Sequence, residues 1–331
     1  MIPMLYQLSY AGRTLILAMW VRLSTAARKP EWNRQAYAGQ CRPDPLCVFV
    51  SLWLTPISVL GRGSPTLLTA DAGRVYLAML KTGPNPLILL TNDDGIEAQG
   101  IKDLHDGLKG LGRVWVVAPA VNQSASSHSF SLRKPIKVWR LRPRWLAVHG
   151  TPTDCILVSH HGILKREIDL VFSGINDSPN LGDDVLYSGT VAAAIEGTML
   201  GMPSVAVSYL EAGKNRDVAI RFLRRLVPLL LDGILPPKTL LNVNIPAGEI
   251  KGVKVTRLGK RIYKDMAIEG TLPDGGVSWT IDGEMAFAET EGSDFAAVYS
   301  GYISVTPLHL DMTHHAEIER LQPEFDRLAL L

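Results

Sequence analysis

The sequence predicts an α/β fold built on a mostly parallel sheet. The first observation is an unbroken aliphatic run, Leu87–Leu90, that leads directly into the polar turn Thr91–Gly95. Such a run is typical of a strand that is covered by helices on both faces. The second observation is that short apolar runs alternate with helical periodicity as far as Pro246, as βα units do. Beyond Pro246, β segments and turns predict a β-rich C-terminal region.

The elements of the core follow from local patterns. Ile101, Leu104 and Leu108 fall at helical spacing, and Thr151 with Asp154 forms a capping-box sequence at a helix start. In chain order, the patterns predict strand 87–91, helix 98–111, strand 114–118, a hairpin of 135–141 and 145–149, helix 155–164, strand 168–173, helix 191–201, strand 203–208, helix 216–231 and strand 240–244. The C-terminal region is predicted to contain strands 253–258, 277–281 and 302–306.

Composition excludes several classes of protein. The chain has 331 residues, of which 47% are hydrophobic and 20% charged, so a folded globular protein is expected rather than a disordered one. A net charge of +2 gives no case for binding a nucleic-acid polymer. Three cysteines form neither a disulfide framework nor a zinc motif, and no apolar run approaches the ~20 residues of a membrane span. We therefore expect a cytoplasmic protein with no membrane partner.

Residues 1–78 differ from the rest. They carry eight basic and three acidic residues, which leaves −3 for residues 79–331. They show no persistent period of either 2 or 3.6 residues, so we expect a poorly ordered leader. The leader is explained by a start codon assigned too early, with Met79 as the natural start, or by a targeting or anchoring segment. The rest divides into an α/β core at 79–246, a β-rich region at 247–313 and a tail at 314–331.

Polar residues follow three of the predicted parallel strands. Asp93 and Asp94 follow the first strand, the loop Asn122–Ser129 follows the second, and Asn176 follows the third. Parallel strands bring such loops to one edge of the sheet, where ligands of α/β proteins bind. Two adjacent carboxylates repel unless a cation or a shared proton relieves them, and oxygen ligands favour Mg²⁺ or Mn²⁺. The alternative is that Asp93-Asp94-Gly95 is only a turn or a helix cap.

A second signal lies before the small-residue helix. Ser188, Gly189 and Thr190 precede it, and free N–H groups with the helix dipole make such a terminus an anion site. An ordinary N-cap is the alternative. A metal site that faces an anion site describes phosphate hydrolysis. Neither a P-loop nor a dinucleotide-binding glycine motif occurs in the sequence.

Two further features belong to the same loops. His128 is the one histidine in a predicted active loop, and it could serve as the proton donor. Asp183-Asp184 is a second acidic pair, which we interpret as a solvated or hydrogen-bonded loop element rather than a second metal site.

The ordered motifs resemble the SurE family of survival-protein-E 5′/3′-nucleotidases. The matching segments are 89–95 (LLTNDDG), 117–119 (VAP), 122–124 (NQS), 150–155 (GTPTDC), 173–176 (SGIN), 179–184 (PNLGDD), 187–194 (YSGTVAAA), 241–246 (LNVNIP), 256–259 (TRLG) and 301–308 (GYISVTPL). The resemblance covers residues 86–313. It implies a Rossmann-like core and a C-terminal hairpin that is exchanged between subunits to form a homodimer or homotetramer.

The resemblance also implies site residues and a cofactor. One divalent metal ion per subunit, Mg²⁺ or Mn²⁺, would be bound by Asp93, Asp94, Ser124 and Asn176, with the two aspartates as catalytic residues. Phosphate would be held by Asn176 together with Ser188, Gly189 and Thr190. The chain departs from the family at Asp177-Ser178-Pro179, where a glycine is usual before the proline or serine, and at Ala125-Ser126-Ser127, where glycine-alanine-serine is common.

The resulting hypothesis is a metal-dependent phosphomonoesterase. It would hydrolyse nucleoside 5′-monophosphates, with 3′-monophosphates and short polyphosphate as further candidate substrates. One alternative is a non-catalytic nucleotide-binding sensor. A second alternative is a phosphatase that forms a covalent aspartyl-phosphate at Asp93 or Asp94.

Overall fold

The computed structural model describes residues 2–10, 13–21, 85–165, 167–264, 267–281, 284–288 and 290–328. The chain divides into two compact units, residues 1–66 and 67–331. In the first unit, strands β1 (Ile2–Tyr10) and β2 (Arg13–Val21) pair as an antiparallel hairpin. The leader was expected to be poorly ordered, so this hairpin was not predicted. Residues 22–78 of the leader lie outside the described ranges.

The second unit contains thirteen strands and six α-helices in its described part. The strands are β3 (Leu87–Thr91), β4 (Arg113–Pro119), β5 (Lys137–Arg142), β6 (Trp145–His149), β7 (Leu170–Asn176), β8 (Ser204–Tyr209), β9 (Thr239–Ile245), β10 (Gly252–Val255), β11 (Arg261–Lys264), β12 (Ala267–Thr271), β13 (Val277–Ile281), β14 (Glu284–Phe287) and β15 (Tyr302–His309). The helices are α1 (Gln99–Leu108), α2 (Pro152–Val158), α3 (Gly189–Met199), α4 (Arg216–Leu231), α5 (Asp294–Tyr299) and α6 (His315–Asp326). A π-helical turn, Ser159–Ile163, extends α2, and a 3₁₀ turn, Gly182–Leu186, precedes α3.

Nine strands form one sheet in the order β10-β15-β9-β8-β7-β3-β4-β6-β5. Every neighbouring pair is parallel except β15–β9 and β5–β6. The prediction of a Rossmann-like core with a mostly parallel sheet is therefore confirmed. Strands β10 and β15 come from the predicted β-rich region, so that region also completes the main sheet. Its other strands form two separate pairs, β11–β14 and β12–β13. Exchange of a hairpin between subunits stays a prediction.

Helices cover both faces of the sheet. In β3, Ile88 and Leu90 belong to the apolar cluster that includes residues of α1 and α4. Leu87 and Leu89 belong to the opposite cluster, with residues of α2 and α3. Because side chains alternate along a strand, burial on both faces requires the unbroken aliphatic run seen in the sequence.

The helices bury the residues that the periodicity selects. Ile101, Leu104 and Leu108 of α1 are buried, and the capping box of α2 forms at Thr151 and Asp154 as predicted. The tail contains the helix α6, and no residue of this helix is buried. No helix within the described ranges has the length and apolar character needed to cross a membrane.

Candidate active site at the carboxyl edge of the sheet

The acidic pair lies in a tight turn at the end of β3. Asp93 is only 4% exposed, and the Asn92 amide donates to the Gly95 carbonyl oxygen at 2.9 Å, which closes the turn. Gly95 has a φ of +99°, and a β-carbon there would lie 3.1 Å from the Val121 carbonyl carbon. The turn therefore requires glycine at this position.

Asp93 faces the first turn of α3. Its Oδ2 accepts the Thr190 backbone N–H at 3.1 Å, and its Oδ1 accepts a hydrogen bond from the Thr190 hydroxyl. Burial raises the pKa of Asp93, whereas hydrogen bonds from Thr190 and Gly189 lower it. A β-carbon on Gly189 would lie 2.9 Å from the Asp93 Cβ, so α3 packs directly on the carboxylate.

This arrangement affects the phosphate site predicted at Ser188, Gly189 and Thr190. The Ser188 hydroxyl caps α3 by accepting the Val191 N–H at 3.1 Å. The Thr190 donors are directed at Asp93, so the anion at this helix terminus is a carboxylate of the chain itself. Phosphate binding by Ser188, Gly189 and Thr190 stays a prediction.

Asp94 interacts with Asp177, which follows β7. Its pKa is raised to about 6 by burial, by the charge of Asp93 and by the charge of Asp177. The backbone of Asp177 acts in the opposite sense and lowers the pKa of Asp94, and the Asp94 Oδ2 is buried without a hydrogen-bond partner among the described residues. Asn176, the last residue of β7, is buried, and its Nδ2 donates to the Ser178 carbonyl oxygen at 2.6 Å. Metal binding by Asn176 stays a prediction.

The loop after β4 joins the same edge. The Gln123 N–H donates to the Asp93 carbonyl oxygen at 2.7 Å, and the Ser124 N–H donates to the Asn122 side chain at 2.8 Å. Ser124 is exposed. The structure thus connects this loop to the acidic pair through Gln123, the residue before the predicted metal ligand.

His128 lies elsewhere on the same loop. Its Nε2 is 3.0 Å from a carboxylate oxygen of Glu196, a buried residue of α3. Glu196 is six residues beyond Thr190, which corresponds to about 9 Å along the helix axis. The ring therefore lies beside the second turn of α3 rather than at its start, and its role as proton donor stays a prediction.

Two networks that the sequence analysis missed hold the long loop between β7 and α3. Asn180 exchanges hydrogen bonds with Asn244, and the Asn242 amide donates to the Asn180 carbonyl oxygen. The buried Asp294 carboxylate accepts the N–H groups of Gly182, at 2.8 Å, and of Gly259, at 2.8 Å. The sequence held a signal for the first network: Asn242 and Asn244 lie inside the otherwise apolar strand β9, and buried polar side chains need hydrogen-bond partners.

Asp184, of the second acidic pair, forms an ion pair with Arg261. This agrees with the interpretation of the pair as a hydrogen-bonded loop element.

The residues at this edge fit a divalent cation. No group of three or more His, Cys, Asp or Glu side chains that could hold a metal occurs in the part of the chain that the structure describes, so the donors available are two carboxylates and neutral oxygens. The Asp94 Oδ2 lacks a partner, and the charges of Asp93 and Asp177 oppose its ionisation. A hard cation would relieve both conditions, and oxygen donors of this kind suit Mg²⁺ or Mn²⁺.

Comparison with known proteins identifies the family of the chain. A family model described as Survival protein SurE matches residues 88–265. A protein of Syntrophotalea carbinolica named 5′-nucleotidase SurE is 47% identical over 240 residues, covering 71% of this chain and 96% of the relative. A protein of the same name from Geobacter metallireducens is 44% identical over 241 residues, covering 71% and 96%.

A solved structure of a SurE protein is also similar to this chain. The crystal structure of the SurE protein from Aquifex aeolicus aligns with a TM-score of 0.64 at 41% identity, covering 72% of this chain and 98% of that chain. The chain therefore belongs to the SurE family.

Proposed function

We propose that this chain is a metal-dependent 5′-nucleotidase that hydrolyses nucleoside 5′-monophosphates to a nucleoside and phosphate. The names of its relatives support the nucleotidase activity. The observation that carries the metal dependence is the buried, unpartnered Asp94 Oδ2 beside Asp93. Hydrolysis of 3′-monophosphates and short polyphosphate belongs to the same proposal.

The metal would be bound by Asp93, Asp94, Ser124 and Asn176. When bound, Mg²⁺ or Mn²⁺ supplies Lewis-acid polarisation of the phosphoryl group and lowers the pKa of water. Asp93 is held in place by Thr190, whose hydroxyl and N–H occupy both of its oxygens.

The start of α3 would contribute to phosphate binding mainly through its dipole. Since Thr190 donates to Asp93, phosphate would have to share these donors or rely on the positive helix terminus behind them. Asn176 would contribute to phosphate binding through its Nδ2, which donates to the Ser178 carbonyl oxygen at 2.6 Å and would have to share that donor. The homodimer or homotetramer formed through residues 247–313 and the cytoplasmic location stay predictions.

The test is phosphate release from AMP and GMP with Mn²⁺ or Mg²⁺. We expect activity that is lost with a chelator and lost in Asp94→Ala. Asp183→Ala is the matched control, because it removes an exposed carboxylate from the long loop of the same edge, and it should keep the activity. Nucleotide binding without turnover would instead favour the sensor, and a trapped phosphoenzyme would favour the covalent mechanism. Activity that survives both chelation and Asp94→Ala would contradict the proposal.

A further inference from the structure

Ser126 places a hydroxyl group against the start of α3. A β-carbon built on Gly189, the first residue of that helix, would lie 2.8 Å from the Ser126 Oγ and 3.0 Å from the Asp93 Oδ2. Both oxygens therefore lie close to the same point beside Gly189. The Ser126 hydroxyl thus belongs to the immediate surroundings of the acidic pair and of the predicted phosphate site.

This hydroxyl has no partner. The Ser126 Oγ is buried, and it forms no hydrogen bond with any of the described residues. An unsatisfied buried polar atom costs free energy, so in a native protein it indicates that a ligand, an ion or water completes it. The residue as a whole is only partly buried. A change to another staggered rotamer can therefore bring the hydroxyl to a position that an incoming ligand contacts.

Backbone hydrogen bonds fix the loop on both sides of this hydroxyl. The Ser126 N–H donates to the Gln123 carbonyl oxygen at 3.1 Å, and the Gln123 N–H donates to the Asp93 carbonyl oxygen at 2.7 Å. On the other side, the Ser127 N–H donates to the Tyr187 carbonyl oxygen at 3.2 Å. The loop is thereby joined both to the turn that carries the acidic pair and to the segment that leads into α3.

The start of α3 needs a further donor if it is to hold phosphate. Thr190 donates both its hydroxyl and its backbone N–H to Asp93, so a phosphate would have to share these donors. The proton of the Ser126 hydroxyl is taken by no acceptor among the described residues. It lies beside Gly189, one of the residues predicted to bind phosphate. A hydroxyl that donates to a charged oxygen forms a stronger hydrogen bond than one that donates to a neutral acceptor.

We propose that the Ser126 hydroxyl donates a hydrogen bond to a phosphoryl oxygen of the bound substrate. The inference rests on the proposed nucleotidase function and adds a phosphate-binding residue to it. Alanine is common at this position in the family, so the donor is a feature of this chain rather than of the family pattern. Because the phosphate is common to all phosphomonoesters, the contact strengthens binding of every such substrate.

The experiment measures phosphate binding and phosphate release by the full chain and by Ser126→Ala. In calorimetry with Mn²⁺ present, we expect Ser126→Ala to weaken the binding of inorganic phosphate roughly tenfold, the effect of losing one hydrogen bond to a charged group. The value of kcat/KM should fall by a similar factor for AMP, GMP and p-nitrophenyl phosphate. Ser126→Gly also removes the hydroxyl and should give the same result.

Three controls separate this role from a structural one. The melting temperature of Ser126→Ala without phosphate should equal that of the unaltered protein, since an unpartnered hydroxyl contributes no hydrogen bond to the folded state. Its affinity for Mn²⁺ without phosphate, measured by electron paramagnetic resonance, should be kept. Ser129→Ala is the matched variant, because it removes an exposed hydroxyl from the same loop, and it should keep both phosphate binding and kcat/KM.

Phosphate binding that is as tight in Ser126→Ala as in the unaltered protein would overturn the inference. So would an unaltered protein that binds no phosphate in the presence of Mn²⁺. A lower melting temperature of phosphate-free Ser126→Ala, or a loss of its Mn²⁺ affinity, would also overturn it, because the hydroxyl would then act on the fold or on the metal site. If the unaltered protein binds phosphate but releases none from the three substrates, the proposed function fails, and weaker phosphate binding by Ser126→Ala still supports the donor.

Discussion

Replacing Asp94 with asparagine should stabilise the metal-free protein at pH 8. The pKa of Asp94 rises from 3.8 to about 6, mainly through burial and then through the charges of Asp93 and Asp177. Because the folded-state pKa is the higher one, the folded protein holds this proton between about pH 4 and pH 6, and its stability falls as the pH rises through that window. At roughly 1.4 kcal/mol per pKa unit the penalty is about 3 kcal/mol. Partial exposure of Asp94 reduces it, and we expect about 1–2 kcal/mol.

The assay is urea unfolding in the presence of a chelator, at pH values from 4 to 8. Asp94→Asn removes the charge and keeps the shape of the side chain, so its advantage should be largest at pH 8 and should shrink towards pH 4. With Mn²⁺ added, the unaltered protein should gain stability and the variant should gain much less, because a ligand that binds only the folded state stabilises it.

Asp183→Asn serves as the control, since its carboxylate is exposed in the long loop. It should show no such dependence on pH or on Mn²⁺. An Asp94→Asn variant that is less stable than the unaltered protein at pH 8 without metal would refute the argument from repulsion and burial.

Three other substitutions test the contacts that position the site. Thr190→Val removes the hydroxyl that donates to Asp93, and we expect a loss of about 2 kcal/mol in urea unfolding together with lower nucleotidase activity. Gly100→Ala places a β-carbon 1.9 Å from the Ile175 carbonyl oxygen, so α1 must move away from β7, at a cost of about 1–3 kcal/mol measured by thermal unfolding. Asp294→Asn places an amide donor among backbone N–H groups and should cost about 2–3 kcal/mol in urea unfolding.

Matched controls exist for two of these. Thr198→Val removes a hydroxyl of α3 that donates to the Ala194 carbonyl oxygen, so activity should be retained. Gly162→Ala adds a β-carbon that meets nothing within 4 Å, so the melting temperature should hardly change. A Thr190→Val enzyme as active as Thr198→Val, or a Gly100→Ala protein as stable as Gly162→Ala, would contradict the corresponding contact.

Much of the core was predictable because its strands are buried on both faces. The aliphatic run at Leu87–Leu90 and the helical spacing of Ile101, Leu104 and Leu108 both report burial directly, and both elements appear where expected. The ends of elements differ from the predicted ends where burial does not change along the chain. Asn176, for example, is the last residue of β7 rather than part of the loop that follows. In the C-terminal region, short strands such as β11 and β12 carry little apolar pattern, and the sequence did not predict them.

The site was predictable as a set of polar residues at strand ends, but not as a set of contacts. The sequence places Asp93 and Thr190 97 positions apart, and only the fold pairs them. Asp177 belongs to a segment that departs from the family pattern in the sequence, and in the structure its charge opposes ionisation of Asp94. Metal binding by Asp93, Asp94, Ser124 and Asn176 depends on side-chain oxygens that meet a ligand, and it stays a prediction.

The carboxylate of Asp294 joins two segments that are far apart in the chain, through the N–H groups of Gly182 and Gly259. A protein shortened before residue 294 would still contain Asp93, Asp94 and every other candidate ligand. It would nevertheless lose the anchor of the loop that leads to Thr190. The smallest piece of this chain able to work as an enzyme must therefore extend beyond its last candidate ligand, far enough to include the residue that keeps that loop in place.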